Sequence, residues 1–356
     1  MDVSTSTERK GGVAVPNRGQ RYRDVVISGL AHIDAPHVIT SADLEERLAP
    51  AMERLRIRRG LLARLAGVEE RRFWDVGVPP SVPAAEAGER ALAASGVDRA
   101  DIGILINTSV SRDYLEPSTA SIVHGRLGLP VDATNFDLGN ACLGFLNGMN
   151  LVSTMIEHGE IDHGMVVNAE SARYVVETTL ERLLHASDAS TFREQFATLT
   201  LGSGAVATVL SRRGTVAADH RYLGGLSRAA TEHALLCTGD AHEMRTDAPG
   251  LLQAGLEIGK LTWKEAVDSF DWDANAFDLY AIHQVSTVHT RAICDTLGLD
   301  RARVPLTFPT FGNVGPASVP LVVSKAAEEG RLSSGHRVML MGIGSGINAA
   351  AAEVLW

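Results

Sequence analysis

Cysteine, long apolar runs and excess positive charge are all scarce or missing in this chain of 356 residues. The three cysteines are Cys142, Cys237 and Cys294, and their odd number and wide spacing argue against a disulfide framework or a zinc site. No apolar run approaches the length of a membrane span, so a lipid-like substrate has to be met from solution. These absences favour a protein of the reducing cytoplasm without a membrane span.

The charge balance is acidic, with 33 Lys and Arg against 43 Asp and Glu and a net charge of −10. Such a balance argues against nucleic acid as the main partner. A hydrophobic content of 45% and a charged content of 21% are usual for a globular enzyme. Residues 1–23 are polar and lack the apolar core of a signal peptide, so we expect them to form a disordered leader.

Strand and helix patterns alternate along the rest of the chain, which predicts an α/β fold. Residues 170–195 carry no strand signal, and we expect them to cover the surface as a lid or an interface. Both halves end in a glycine-containing strand pair, which indicates a duplication into an N-terminal half, 24–210, and a C-terminal half, 211–356. The predicted strands are 25–31, 102–106, 135–138, 165–169, 197–210, 279–282, 338–341 and 348–355. The predicted helices are 42–55 with Ser41 as N-cap, 83–95, 118–127, 141–158, 251–267, 286–297 and 318–329.

Cys142 lies where the strand 135–138 gives way to a helix. Unpaired N–H groups and the macrodipole at a helix start favour negative charge, so this thiol should ionise more easily than a free one. Gly144 and Gly148 leave one face of the helix open to the close approach of a backbone or a slender ligand. Taken alone, a cysteine at this position is more often a small buried core residue, because free cysteine is among the most buried residue types.

His283 follows the strand 279–282 and precedes a helix, a position that mirrors that of Cys142 in the other half. Two such junctions are expected to converge on one crevice, because ligands gather at the carboxyl ends of strands. Asn313 lies in a turn with Gly312, Gly315 and Pro316. Each of the two residues alone also fits a structural role, His283 as a core histidine and Asn313 as a turn former.

Three further stretches carry polar or charged groups of interest. The turn 342–346, GIGSG, can aim backbone N–H groups inward, as an oxyanion hole requires. Glu116 ends the polar loop 107–117, where an acidic residue also suits the start of the next helix. The seven arginines of residues 54–72 form either a solvated face or a site for the phosphates of a nucleotide-bearing substrate.

Four motifs in this order resemble those of the thiolase superfamily, and within it the ketoacyl synthase III branch with its Cys-His-Asn triad. They are NACLGF around Cys142, IHQVS around His283, GNVGPASVP around Asn313 and the GIGSG turn. The resemblance covers nearly the whole chain after residue 23. It implies a duplicated five-layer αβαβα fold, an intimate homodimer, and carbon–carbon bond formation between acyl thioesters.

The stretch INTSVSRDYLEPSTASIV around Glu116 looks closer still to the OleA-type family of long-chain olefin biosynthesis. That resemblance implies an acyltransferase that condenses two fatty acyl-CoAs head to head, with CoA thioester substrates and no bound cofactor or metal. Cys142 would accept the first acyl group, with the N–H groups of Cys142 and Ser345 as oxyanion hole. Glu116 would remove the α-proton of the second acyl-CoA from across the dimer, and His283 and Asn313 would stabilise the enolate. The product would be a 2-alkyl-3-keto acid, passed on to partner enzymes of an olefin or β-lactone pathway.

Two alternatives stay open from the sequence. A decarboxylating 3-oxoacyl-(acyl-carrier-protein) synthase III needs no such base, which would leave Glu116 a helix-start residue. A subunit of a heterodimeric condensing enzyme would donate Glu116 to a partner while its own cysteine did little. The intact set of Cys142, His283 and Asn313 counts against the second alternative.

Overall fold

The structure, a computed structural model, describes residues 19–356. The first 18 residues of the predicted leader lie outside that range. The prediction of disorder is wrong for the rest of the leader, because Gln20–Arg21 forms a short strand against Gly224 and Gly225 and Tyr22 is buried.

Eleven α-helices and fourteen strands lie within the described residues. The helices are α1 Ser41–Arg47, α2 Ala49–Arg54, α3 Ser81–Ser95, α4 Thr119–Leu127, α5 Gly144–Glu157, α6 Arg173–Leu184, α7 Ala189–Gln195, α8 Ala248–Phe270, α9 Thr287–Leu297, α10 Phe308–Phe311 and α11 Ser318–Glu328. The strands are β1 Gln20–Arg21, β2 Val25–Asp34, β3 His37–Thr40, β4 Glu70–Phe73, β5 Ile102–Asn107, β6 Thr134–Asp137, β7 His163–Glu170, β8 Gly204–Arg212, β9 His220–Ala229, β10 Cys237–Gly239, β11 Met244–Thr246, β12 Leu279–Ile282, β13 Arg337–Gly344 and β14 Asn348–Leu355.

One large sheet runs through the molecule in the order β12-β13-β14-β9-β2-β8-β7-β5-β6. The same pattern of strand directions occurs at both ends of this sheet. In the first half β2, β8 and β7 are antiparallel neighbours and β5 then runs parallel to β7. In the second half β9, β14 and β13 are antiparallel neighbours and β12 runs parallel to β13. An internal duplication produces such a repeat, although the boundary at residues 210 and 211 stays a prediction.

Three large apolar clusters define the layers. Strand side chains alternate between two faces, so that Leu279 and Ala281 point to one layer and Tyr280 and Ile282 to another. The central cluster joins α5 and α11 to strands of both halves. One outer cluster packs α3 and α4 on the first half, and the other packs α8 and α9 on the second. The layers therefore follow the order helix, one half of the sheet, helix, the other half of the sheet, helix, which confirms the predicted αβαβα fold.

Several boundaries differ from the prediction. Thr40, and not Ser41, caps α1, because its side chain and that of Asp43 form a reciprocal capping box. Residues 170–195 contain the helices α6 and α7, and β9 was not predicted at all. No helix within residues 19–356 is long and apolar enough to cross a bilayer.

Candidate active site

The turn that carries Cys142 is held in a strained form. A 3-10 turn, Ala141–Leu143, precedes α5, and Ala141 has a φ of 43°, in the left-handed region that non-glycine residues avoid. The side chain of Asn140 donates to Asn147 Oδ1 at 2.7 Å and accepts from Asn348 Nδ2 at 3.2 Å. These bonds tie the turn to both α5 and the last strand.

The GIGSG turn lies directly against Cys142. A Cβ added to Gly344 would stand 3.3 Å from the Cys142 nitrogen, so only glycine lets the two backbones come this close without displacement. The backbone N–H groups of Cys142 and Ser345 lie near the sulfur and lower the pKa of the thiol. The structure thus brings the two predicted oxyanion-hole donors together around the thiol.

The predicted glycine face of α5 is occupied by protein. A Cβ on Gly144 would lie 2.9 Å from the Thr108 carbonyl oxygen, and one on Gly148 would lie 2.9 Å from a methyl of Val166. The close approach therefore serves the packing of α5 on β5 and β7, and not a ligand.

The prediction that Cys142 ionises easily is wrong. Burial raises the pKa of this thiol to about 12, and the charge of Glu170 raises it further, whereas the two backbone N–H groups lower it. Removing a thiolate from water outweighs the favourable helix start. The resting cysteine is therefore a neutral thiol.

His283 follows β12 and is only 3% exposed. Neither of its ring nitrogens has a hydrogen-bond partner within the described part of the chain. Burial lowers its pKa to about 4, while the neighbouring Asn313 amide acts in the opposite direction. The contact with Asn313 falls short of a formed hydrogen bond, so both nitrogens of the neutral ring are buried without a partner among the described residues.

The register of the sheet corrects the mirror argument. His283 donates its N–H to the Met341 carbonyl, and in the first half Thr108 donates to the Val167 carbonyl in the same way. Thr108 is therefore the counterpart of His283, while Cys142 follows the edge strand β6. Gly342 separates the Cys142 turn from His283: an added Cβ would lie 2.6 Å from Leu143 Cδ2 and 3.8 Å from His283 Cβ.

Asn313 is fixed by its backbone on both sides. Its N–H donates to the Thr200 carbonyl at 2.8 Å, and its carbonyl accepts from Gly202 N at 2.9 Å. Its side-chain Oδ1 accepts from Gly315 N at 2.9 Å. Because the oxygen is engaged, Nδ2 is left as a donor beside His283.

Glu116 does not join the other three residues within one chain. It lies exposed at the end of the loop 107–117, and the structure of residues 19–356 shows no hydrogen bond or ion pair to its carboxylate. The expected role of Glu116 across a dimer stays a prediction.

Two of the seven arginines fit neither predicted role. Arg71 is fully buried and donates to Ser41 Oγ at 2.9 Å, and Arg72 stacks over the Phe311 ring at 4.9 Å. The other five are exposed: Arg54, Arg56, Arg58, Arg59 and Arg64.

Two titratable residues with shifted pKa values were missed from the sequence. His289 packs edge-on against His283, with ring centroids 6.2 Å apart, and burial lowers its pKa to about 3. Glu170 ends β7, and burial raises its pKa to about 7. The only sequence signal for Glu170 was its place at the carboxyl end of a buried strand.

This arrangement suits acyl transfer, because two N–H donors lie beside a thiol, and a neutral imidazole and an amide donor lie nearby.

Comparisons with known proteins agree with a role in acyl transfer. Residues 136–223 match the family model 3-Oxoacyl-[acyl-carrier-protein (ACP)] synthase III, and residues 267–356 match its C-terminal model. A protein of Xanthomonas campestris named acyl-CoA:acyl-CoA alkyltransferase is 47% identical over 94% of this chain and 99% of its own. One of the same name from Shewanella oneidensis is 36% identical over 94% and 100%.

One more distant relative and two solved structures also match this chain. A β-ketoacyl-(acyl-carrier-protein) synthase III of Streptomyces coelicolor is 30% identical over 93% of this chain and 97% of its own. The crystal structure of Xanthomonas OleA with bound cerulenin matches with a TM-score of 0.93, covering 94% of this chain and 98% of that one at 47% identity. A cysteine-to-serine form of OleA with bound lauric acid and lauroyl-CoA matches with a TM-score of 0.92, covering 94% and 100% at 47% identity.

Proposed function

This chain belongs to the acyl-CoA:acyl-CoA alkyltransferase family, and on that premise we propose how it joins two fatty acyl-CoAs by a Claisen condensation without decarboxylation. The observation that carries the mechanism is the convergence of Cys142, Ser345, His283 and Asn313 at the junction of the two halves. The exposed Glu116 carboxylate supplies a base for removing the α-proton, which a decarboxylating enzyme does not need. The synthase III relatives are the more distant ones.

In the first half-reaction the Cys142 sulfur attacks the carbonyl carbon of one acyl-CoA. Burial raises the pKa of this thiol far above neutral pH, so the proton leaves as the acyl group arrives. His283 is neutral and has a free ring nitrogen to accept that proton. The N–H groups of Cys142 and Ser345 hold the oxyanion, and CoA departs as the thiol once it regains the proton.

In the second half-reaction Glu116 of the neighbouring chain removes the α-proton of a second acyl-CoA. The enolate oxygen accepts hydrogen bonds from His283 and from Asn313 Nδ2. The α-carbon then attacks the acyl group on Cys142, and the cysteine leaves as thiolate and regains a proton. The exposure of Glu116 within one chain supports a homodimer in which this residue crosses to the partner's site.

The condensation product is a 2-alkyl-3-ketoacyl thioester, which water converts to the 3-keto acid. A further enzyme of olefin or β-lactone formation would consume that acid. The free state of all three cysteines supports a reducing cytoplasmic setting.

Supplying the purified chain with a single fatty acyl-CoA, and no malonyl donor, tests this function. We expect release of two CoA molecules for each 3-keto acid formed, measured by thiol titration and by mass spectrometry of the lipid extract. Product that appeared only with a malonyl donor would support the decarboxylating alternative. Acylation of the chain without product, relieved by adding a paralogue, would support the heterodimer.

The enolate donors can be separated from the acylation machinery. Asn313→Asp keeps the oxygen that binds Gly315 N but removes the Nδ2 donor, so we expect acylation to continue and condensation to fall by about 10²-fold. His283→Ala should slow both steps, because His283 serves the thiol and the enolate. Intact-mass spectrometry measures acylation, and 3-keto acid formation measures condensation. The exposed His233→Ala is the control, and full condensation by Asn313→Asp would contradict the role of Asn313.

A further inference from the structure

Glu170 is a buried carboxylate that the mechanism above does not use. It is 7% exposed, and its two oxygens accept four hydrogen bonds. Oε1 accepts from Val110 N at 2.8 Å and from Asn168 Nδ2 at 3.3 Å. Oε2 accepts from Ser111 N at 3.2 Å and from Ser111 Oγ at 2.9 Å. Three of the four donors belong to the loop 107–117.

The same carboxylate borders the other catalytic segments. A Cβ added to Gly315, two residues after Asn313, would lie 3.5 Å from Glu170 Cγ. Its charge raises the pKa of Cys142, second only to burial. A negative group at this place works against a thiolate, so nucleophile activation does not explain it.

The loop gains its order from Glu170 and its neighbours. Ser111 Oγ also accepts from Ser171 N at 3.0 Å, which extends the contact with the end of β7. Asp113 accepts from Ser81 N at 2.9 Å. From Tyr114 to Pro117 the loop is exposed. The anchor at Val110 and Ser111 therefore holds the start of the segment that leads to Glu116.

We propose that Glu170 is a positioning residue for Glu116: by fixing the start of the loop 107–117, it delivers the general base to the partner's active site. The inference rests on the proposed function, in which Glu116 crosses the dimer. Burying a carboxylate is costly, and burial raises the pKa of Glu170 to about 7 against the lowering effect of its hydrogen bonds. In return, the loop gains a hydrogen-bond acceptor with a fixed position, which water at the surface does not provide.

The single variant Glu170→Gln tests this positioning role without mixing two kinds of chain. The side chain keeps its size, but its amide nitrogen cannot accept from Ser111. We expect condensation to fall by about 10²-fold, the scale of misplacing a reacting group by an ångström. Acylation of Cys142 should be unchanged or faster, because a negative charge near the thiol is gone. A parallel loss of both half-reactions would overturn the proposal.

Two further variants control for unspecific effects and for misfolding of Glu170→Gln. Glu157→Gln is the matched control, since Glu157 also accepts backbone N–H groups, those of Arg23 and Asp24, far from the loop. It should leave both half-reactions unchanged. If Glu170→Gln fails to fold, Ser111→Ala removes one anchoring bond in a folded chain and should lower condensation alone.

Mixed dimers show which site depends on Glu170. A Cys142→Ser chain paired with a Glu116→Gln chain holds one complete site, formed by the cysteine of the second chain and the glutamate of the first. Adding Glu170→Gln to the Cys142→Ser chain, which donates the loop, should abolish condensation. Adding it to the Glu116→Gln chain should change little.

The reverse pattern would overturn the proposal, because Glu170 would then act on the cysteine of its own chain. A starting pair without any condensation would refute the crossing of Glu116 instead. The comparison of acylation with condensation in Glu170→Gln still decides the role of Glu170 in that case.

Discussion

Replacing Cys142 by serine will abolish the acyl-enzyme and leave the fold intact. The N–H groups of Cys142 and Ser345 lie beside the sulfur, and the serine oxygen that would replace it is a far poorer nucleophile at neutral pH. We expect condensation to fall by about 10⁴-fold or more, on the scale seen when a catalytic nucleophile is removed. Intact-mass spectrometry after incubation with acyl-CoA measures the adduct, and thermal unfolding checks the fold.

Cys237→Ser is the matched control for this experiment. Cys237 is a free, half-buried cysteine whose sulfur contacts Thr246 Oγ1 at 3.4 Å on the hairpin β10–β11. Its replacement leaves the candidate nucleophile in place, so the adduct should persist. An adduct that survived in Cys142→Ser, or disappeared in Cys237→Ser, would move the nucleophile elsewhere.

Glu116→Gln should separate the two half-reactions cleanly. Glutamine keeps the size of the side chain and removes its basicity, so the α-proton of the second acyl-CoA has no acceptor. We expect normal acylation of Cys142 and a loss of condensation of about 10²-fold or more, the usual scale for general-base removal. The exposed Glu160→Gln should behave as wild type. Unchanged condensation in Glu116→Gln would favour the decarboxylating alternative.

Subunit exchange tests the crossing itself. Glu116→Gln and Cys142→Ser chains are each inactive alone, but their mixed dimer holds one site with an intact cysteine and the partner's intact glutamate. We expect activity to return in mixed dimers isolated through two affinity tags. If verified exchange restored nothing, Glu116 would have to act within its own chain.

Local signals predicted the elements that depend on local chemistry. The strand Leu279–Ile282 has the predicted bounds, and α4 and α9 begin at the serine caps Ser118 and Ser286, as the pattern indicated. β9 was missed because Gly224 and Gly225 in its middle suggest a turn, whereas tertiary pairing with β14 makes them a strand.

The ionisation states of the site residues were harder to predict than their identities. The motifs named Cys142, His283 and Asn313, but the pKa of Cys142 is set by desolvation, which depends on segments distant in sequence. The positive φ of Ala141 and the burial of Glu170 also leave no local pattern. A sequence shows which groups are available, and packing decides their charge.

The hairpin β13–β14 helps to shape the turn of Cys142, which lies far from it in sequence. β14 lies inside the sheet between β13 and β9, and the connection between the two strands supplies Ser345. Asn348, at the start of β14, secures the turn of Cys142. The shape of the Cys142 turn therefore depends on a contact that spans 208 residues of sequence. A substitution at Asn348 is expected to disturb that turn although it changes no residue of the turn itself.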